Sequence, residues 1–349
     1  MSIEVKIKKQ LGDFCLDAEF ESRSGVTGLL GASGCGKSLT LRSIAGIVKP
    51  DEGRIVLNGN VLFDSQAKIN LPPQKRKVGY LFQNYALFPN MTVEQNISCG
   101  LPHEKNKEKK KQAVAEMIER MRLTGLEKHR PHQLSGGQQQ RAALARVLVG
   151  KPEILLLDEP FSALDSFLKE QLMTELRSIL SSFEKDVLLV THSRDEAYDL
   201  CGLLALMDSG RITGIGPTKE IFNDPGTRTG AILTGCKNIV PARAVDSRSV
   251  EIPEWGVVMH TDRDIKDGLC AVGIRAHYFD ENIMDNSFPV QILETIEEPF
   301  AWIVKFRYEN QDPKSDPVWW RFSKDKKDPK GSSQTRLGIS PENILLLYS

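Results

Sequence analysis

The residues with the clearest chemical purpose are Gly31-Ala32-Ser33-Gly34-Cys35-Gly36-Lys37-Ser38. Their spacing is that of a phosphate-binding loop, G-x-x-x-x-G-K-S, in which each residue type has a task. Glycines permit positive φ and close backbone approach, so successive N–H groups can turn toward a phosphate. The helix that follows adds the partial positive charge of its N-terminus. Lys37 is suited to bridging β- and γ-phosphates, and the Ser38 hydroxyl to one position on Mg²⁺. The expected nucleotide contacts run from Gly31 through Ser38 to Leu39. Cys35 stands at a variable position of the loop, where a redox-active thiol is a second reading. Alone, this motif specifies a nucleoside triphosphate and no more.

Two further groups extend the chemistry. Leu155-Leu-Leu-Asp158-Glu159 sets two carboxylates at the tip of an apolar strand, where open α/β sheets bind ligands. Asp158 is expected to hold Mg²⁺, through water, and Glu159 to orient or deprotonate an attacking water. An acidic pair that only caps a helix is the bland alternative. Thr191-His192 follows the apolar run Asp186–Val190, and its imidazole is either structural or a γ-phosphate contact. Leu134-Ser135-Gly136-Gly137-Gln138 opens a helix expected over Gln138–Leu148. Ser135 and Gly137 offer donors at its positive end, suited to a γ-phosphate, although an ordinary capped Ser-Gly-Gly turn reads the same way. A single nucleotide has no obvious need of two such helix ends.

The elements that must position these residues are those of an α/β domain. From Ile3 to about Phe222, short β-branched or leucine runs alternate with helical stretches. Gly25–Leu30 reads as a strand entering the loop and Ser38–Ile47 as a helix leaving it. Glu153–Leu157 and Asp186–Val190 read as strands covered on both faces. Lys105–Arg122 reads as a helix with Ala113, Met117 and Met121 inward. Its Lys109-Lys-Lys111 run is interleaved with glutamates and fits a solvated face better than an anion patch. Past Asn223-Asp-Pro-Gly226 the character changes to strand-like runs, such as Asn238–Ala244, Ser249–Val258 and Ala301–Tyr308, divided by turn clusters. The expected division is an α/β domain over 1–235 and a smaller all-β domain over 236–349.

Composition narrows the classes. Among 349 residues, 46 Lys plus Arg balance 46 Asp plus Glu, which argues against nucleic acid as a partner. No apolar run approaches the roughly 20 residues a bilayer requires, and the alternating N-terminus lacks the apolar centre of a signal peptide. Six scattered cysteines show no metal-ligand spacing and read as free thiols in a reducing compartment.

Taken in order, the phosphate loop, Gln83, Leu134–Gln138, Asp158-Glu159, the Ser162–Asp165 loop and His192 resemble the ABC ATPase family over nearly all of residues 1–235. The resemblance implies a P-loop domain with a helical subdomain, using ATP and Mg²⁺. It also implies a head-to-tail homodimer in which Ser135, Gly136, Gly137 and Gln138 of one copy complete the other copy's site. A helix end then supplies the charge stabilisation that other nucleotide hydrolases take from an arginine. In this family Gln83 touches Mg²⁺ and the attacking water, Asp165 lies in the loop after the acidic pair, and an aromatic at the place of Phe14 stacks on adenine. The aromatics after Gln83 (Phe82, Tyr85 and Phe88 around it) are either core or the surface that receives a permease helix. With no fused span, the permease must be a separate integral-membrane chain. That is the arrangement of importers fed by a periplasmic or lipid-anchored binding protein, with this subunit on the cytoplasmic face of the membrane.

Leu57–Asp64, Ile69–Arg76, Gln10–Phe14 and Thr234–Asn238 are similar to molybdate-importer ATPases, with sulfate, tungstate, ferric-iron and polyamine importers as neighbours. Val272-Gly-Ile-Arg-Ala276 resembles the oligomer-binding fold appended to such ATPases, where it either binds the transported oxyanion or braces the dimer. The longer length and Trp319-Trp320 depart from a minimal oxyanion module. A soluble ABC ATPase of translation or repair is expected to carry two cassettes or a coiled-coil insertion. A nucleotide sensor is not expected to retain both Glu159 and His192.

Overall fold

The apolar runs beside the loop and the acidic pair have too little polar alternation to face water on either side. In the computed structural model, which describes residues 2–23, 25–162, 166–325 and 334–348, they form the middle of one sheet. Its strands are β1 (Ser2–Leu11), β2 (Phe14–Arg23), β3 (Val26–Leu30), β4 (Glu52–Leu57), β5 (Asn60–Asp64), β6 (Ile69–Asn70), β7 (Val78–Leu81), β8 (Ile154–Asp158), β9 (Asp186–Thr191), β10 (Leu203–Asp208) and β11 (Arg211–Pro217). The order is β6-β5-β4-β1-β2-β11-β10-β3-β9-β8-β7. One side, from β6 to β2, is antiparallel; β11 runs parallel to β2 and antiparallel to β10, and β10, β3, β9, β8 and β7 run parallel to one another.

Helices cover both faces of the parallel part. Ile154, Leu156, Leu188 and Val190 pack with Leu41, Ile44 and Ala45 of α1 (Lys37–Ala45). Leu155, Leu157, Val187 and Leu189 face the other way, into α2 (Val93–Ser98), α3 (Lys107–Arg120), α4 (Gly136–Leu148), α5 (Ser166–Ser181) and α6 (Arg194–Leu200). Each such buried aliphatic contributes roughly 1.5–3 kcal/mol. The inward face of α3 is Val114 and Ile118, continued by Met121, with Ala113 and Met117 only partly buried. The expected stripe is therefore rotated by one residue, because packing against α2 and α4 selects the branched side chains. Among the described residues, no helix is long and apolar enough to cross a membrane.

The chain separates into two units, Met1–Thr218 and Lys219–Ser349, ahead of the expected division between 235 and 236. After α7 (Thr218–Asn223), α8 (Arg228–Leu233) puts Ala231 into a small core with Cys236, Ala271, Leu345 and Leu347. That helix therefore goes with the second unit. The strands there are β12 (Asn238–Pro241), β13 (Arg243–Ala244), β14 (Ser249–Ile252), β15 (Val257–His260), β16 (Ala271–Ile274), β17 (Phe288–Glu297), β18 (Ala301–Tyr308), β19 (Val318–Ser323), β20 (Gln334–Leu337) and β21 (Ile344–Leu347). They form three antiparallel sheets, β12-β16-β21, β13-β14-β15 and β19-β18-β17-β20, around an aromatic core that includes Trp255, Phe306, Tyr308 and Trp320. The runs Asn238–Ala244 and Ser249–Val258 each divide into two strands, the second at the Pro253–Gly256 turn. In this unit Arg275, from the Val272–Ala276 segment, donates to the carbonyls of Thr234 and Phe222.

Candidate nucleotide site

Four parallel strands, one from early in the chain and three that follow one another later, deliver their C-terminal ends side by side. In the order β3-β9-β8-β7 they lead into the phosphate loop, His192, Asp158-Glu159 and Gln83. The register aligns them, with Leu30 paired to Thr191, Asp158 to Val190 and Leu81 to Leu157. This edge of a parallel sheet is where such folds bind ligands.

The loop geometry follows from its glycines. Gly34 and Gly36 have φ of 82° and 109°, a region costly for residues with a Cβ. A Cβ on Gly31 would lie 2.3 Å from the Met207 carbonyl oxygen. Lys37 is buried, and its ammonium donates to the carbonyls of Gly31 and Ala32, both at 2.8 Å. Ala32, Ser33 and Leu39 lie between these anchors and the first turn of α1. The Phe14 ring stands at the start of β2, and its Cζ lies 3.1 Å from where a Cβ on Gly36 would be. The expected stacking aromatic thus borders the loop. Cys35 is buried and burial pushes its thiol up, with Lys37 pulling the other way, so the reactive-thiolate reading loses its basis.

Two clusters form beside the loop. In the first, the Ser38 hydroxyl donates to Asp158 Oδ1 at 2.6 Å and the Tyr80 hydroxyl donates to Asp158 Oδ2 at 2.7 Å. Asp158 is 2% exposed. A hydroxyl and a carboxylate are the hard oxygen donors that Mg²⁺ selects, and that ion ordinarily takes its other ligands from phosphate and water. The Ser38–Asp158 pair, 2.6 Å apart at the mouth of the phosphate loop, fits that ion.

In the second cluster, Glu159 Oε2 lies 3.2 Å from His192 Nδ1 and 3.5 Å from Gln83 Nε2. Glu159 has φ 46°, and its N–H donates to the Val190 carbonyl at 3.0 Å. A non-glycine residue held there costs about 1–3 kcal/mol, and such strain concentrates where a side chain must be aimed. The cluster has a carboxylate able to accept a proton, with an imidazole and an amide able to orient it.

The helix-end motif stays on its own element. Ser135 caps α4, accepting from the Gln138 N–H at 3.3 Å while Gln138 Oε1 accepts from the Ser135 N–H at 2.9 Å, a reciprocal capping box. The helix starts at Gly136, two residues before the expected start, and Gly137 is buried against Leu172. Within one chain these groups bond to each other rather than to either cluster. Asp165 lies outside the described residues, as do Ala163 and Leu164 of its loop.

The aromatics after Gln83 divide. Tyr85 is 5% exposed, its hydroxyl donating to the Pro160 carbonyl, while Phe88 is 46% exposed. Tyr85 and Ala86 both have positive φ, and Arg146 donates to both of their carbonyls, which turns Phe88 outward beneath the same guanidinium. Tyr80 and Arg76 were not singled out by their spacing. Tyr80 has no motif signal, and its inward position on β7 became meaningful only once β8 lay alongside it.

A profile described as ABC transporter matches residues 18–162. Over 233 residues the chain is 39% identical to the molybdenum import ATP-binding protein ModC of Paramagnetospirillum magneticum, a match covering 67% of this chain and 63% of that protein. It is 40% identical over 271 residues to the spermidine/putrescine import ATP-binding protein PotA of Methylococcus capsulatus, covering 75% of this chain and 69% of the relative. Among solved structures, a dimeric ATP-binding cassette in a post-hydrolysis state with ADP and Pi superposes with a TM-score of 0.52 at 27% identity, covering 62% of this chain and 99% of that one. With this sheet edge, this loop and these relatives, the chain belongs to the family of ABC transporter ATP-binding proteins, an ABC ATPase cassette followed by a unit of small antiparallel sheets.

Proposed function

We propose that this chain hydrolyses ATP as one half of a head-to-tail homodimer, energising import through a separate membrane permease, with molybdate as the first candidate cargo. The observation that carries the reading is the convergence of Gln83, Glu159 and His192 beside the Ser38–Asp158 pair.

In this reading the loop N–H groups and Lys37 hold the phosphates, and Phe14 stacks on the adenine. Ser38, Asp158 and Gln83 hold Mg²⁺, which when bound neutralises phosphate charge. Glu159 accepts the proton of the water that attacks the γ-phosphorus, the bond from that phosphorus to the oxygen bridging it to the β-phosphate breaks and ADP leaves with that oxygen, and His192 contacts the γ-phosphate. Ser135, Gly136, Gly137 and Gln138 of a second copy bring a helix N-terminus to the same phosphate. Asp165 is counted with the residues that bind the nucleotide. Phe88 belongs to the face that meets the permease at the cytoplasmic side of the membrane, and the substrate-binding protein acts on this subunit only through the permease.

We assign the 236–349 region a bracing role. A cleft of about 560 Å³ in the second unit is lined by Arg228, Lys237 and Lys305, but also by Glu254 and Asp316. Lys305 is already paired with Glu294 at 2.7 Å, which makes the cleft a poor cradle for a dianion.

The test is Glu159→Gln, followed by phosphate release and by size-exclusion chromatography with ATP. Turnover is expected to fall by about 10²–10⁴-fold, the usual worth of a general base, while ATP-bound dimers accumulate. Hydrolysis within a few-fold of wild type would overturn the assignment of Glu159. Polyamine import is the second reading, favoured by the longer alignment to the spermidine/putrescine relative. Uptake by the reconstituted transporter of labelled molybdate against labelled spermidine separates the two.

A further inference from the structure

We propose that Tyr80 is a positioning residue for the metal: it fixes the rotation of the Asp158 carboxylate so that only Oδ1 faces Ser38. This inference rests on the nucleotide-binding reading of the Ser38–Asp158 pair.

Asp158 lies at the end of β8, where a carboxylate on a short side chain can still rotate about its terminal torsion. Two hydroxyls remove that freedom by taking one oxygen each. Ser38 from α1 reaches Oδ1 at 2.6 Å and Tyr80 from β7 reaches Oδ2 at 2.7 Å. The two contacts differ in kind. Ser38 is itself an oxygen donor suited to Mg²⁺ and can exchange its bond to Asp158 for one to the ion. The Tyr80 hydroxyl stands behind the carboxylate, on the oxygen that does not face Ser38. Its ring is itself held, tilted against Phe82 at 4.4 Å between centroids.

The two bonds therefore tie three elements together: the helix that begins in the phosphate loop, the strand that ends in the acidic pair, and the strand that leads on to Phe82 and Gln83. Partners that orient a ligating side chain are typically worth 10–100-fold in metal affinity. Tyr80→Phe keeps the ring and its packing and removes only the hydroxyl. Its expected effect is specific: the Mg²⁺ concentration needed for tight nucleotide binding rises by about 10-fold, while binding of the same nucleotide in EDTA is unchanged.

The experiment titrates Mg²⁺ into full-length protein holding a fluorescent ATP analogue, and repeats the titration with Mn²⁺, read by electron paramagnetic resonance of the bound ion. A rightward shift for both metals, an altered Mn²⁺ spectrum and unchanged binding in EDTA support the role. Metal dependence equal to wild type would reduce Tyr80 to packing and overturn it. So would an equal loss of binding with and without metal. If the wild-type protein itself shows no Mg²⁺-dependent nucleotide binding, the nucleotide-site reading fails, and that outcome is distinct from the failure of Tyr80.

Discussion

Arg76 offers a stability prediction whose size follows from its surroundings. The side chain is 1% exposed, yet no carboxylate among the described residues pairs with it, and burial pulls its guanidinium below the usual range. Its charge is met by oxygens. Nη1 donates to the carbonyls of Ser43 and Ile44 at 2.8 Å, Nε to the Leu71 carbonyl at 2.7 Å and Nη2 to Asn70 Oδ1 at 2.8 Å. The first two are terminal carbonyls of α1, where the helix dipole favours a cation. In Arg76→Met the stem volume is kept and the donors are lost. Ser43 retains a bond from the Gly46 N–H, and Asn70 can turn to water, which leaves the Ile44 and Leu71 carbonyls stranded.

At about 1–3 kcal/mol for each stranded group, and up to about 2 kcal/mol for a cation at a partly buried helix C-terminus, the loss is roughly 3–5 kcal/mol. In a unit of this size that corresponds to a fall of about 10 °C in Tm. Urea unfolding followed by circular dichroism measures it, with Arg76→Lys expected between mutant and wild type because one ammonium cannot span four acceptors. Gly46→Ala approaches the same point from the other side, since Gly46 has φ 78° and a Cβ there would lie 2.5 Å from Arg76 Nε. A loss below about 1 kcal/mol for Arg76→Met would refute the reasoning, because it would mean that water or other donors replace the guanidinium.

Two further variants probe the site's supports. Lys169 pairs with Glu196 at 2.6 Å, and Glu196 accepts from the Thr191 hydroxyl at 2.5 Å, one residue before His192. Lys169→Met is expected to cost about 1–3 kcal/mol in urea unfolding, since Glu196 stays buried while Lys169 was partly solvated, and to lower ATP turnover; unaltered turnover would detach this network from His192. Phe88→Ser is expected to move Tm by less than about 2 °C, its ring being 46% exposed beside Arg146, while abolishing co-purification with detergent-solubilised permease. A stability loss above about 2 kcal/mol would instead make Phe88 a core residue.

The segment Ile69–Arg76 illustrates how far a sequence resemblance carries. It is similar to molybdate-importer ATPases, yet the structure shows Arg76 holding the end of the loop helix, a task that any cargo would require. Its presence is therefore weak testimony about what is transported. The spacing of the phosphate loop, by contrast, carries its chemistry directly, because contiguous backbone donors and one helix end make the cradle.

What the sequence by itself determined is local. It includes the loop between β3 and α1, the acidic pair at a strand tip, the capped start of α4 and the shift to all-β structure in the second unit. These depend on spacing along one element, where periodicity and capping chemistry operate. Only the tertiary structure decided that β3, β9, β8 and β7 lie side by side, with Gln83, Glu159 and His192 brought together from three of them. It also decided that Tyr85 turns in and Phe88 out, that Val114 and Ile118 line α3, and that Tyr80 and Arg76 find their partners across strands and helices. Strand order and register are set by which apolar faces can be covered together. That is a property of the whole sheet, not of any one segment.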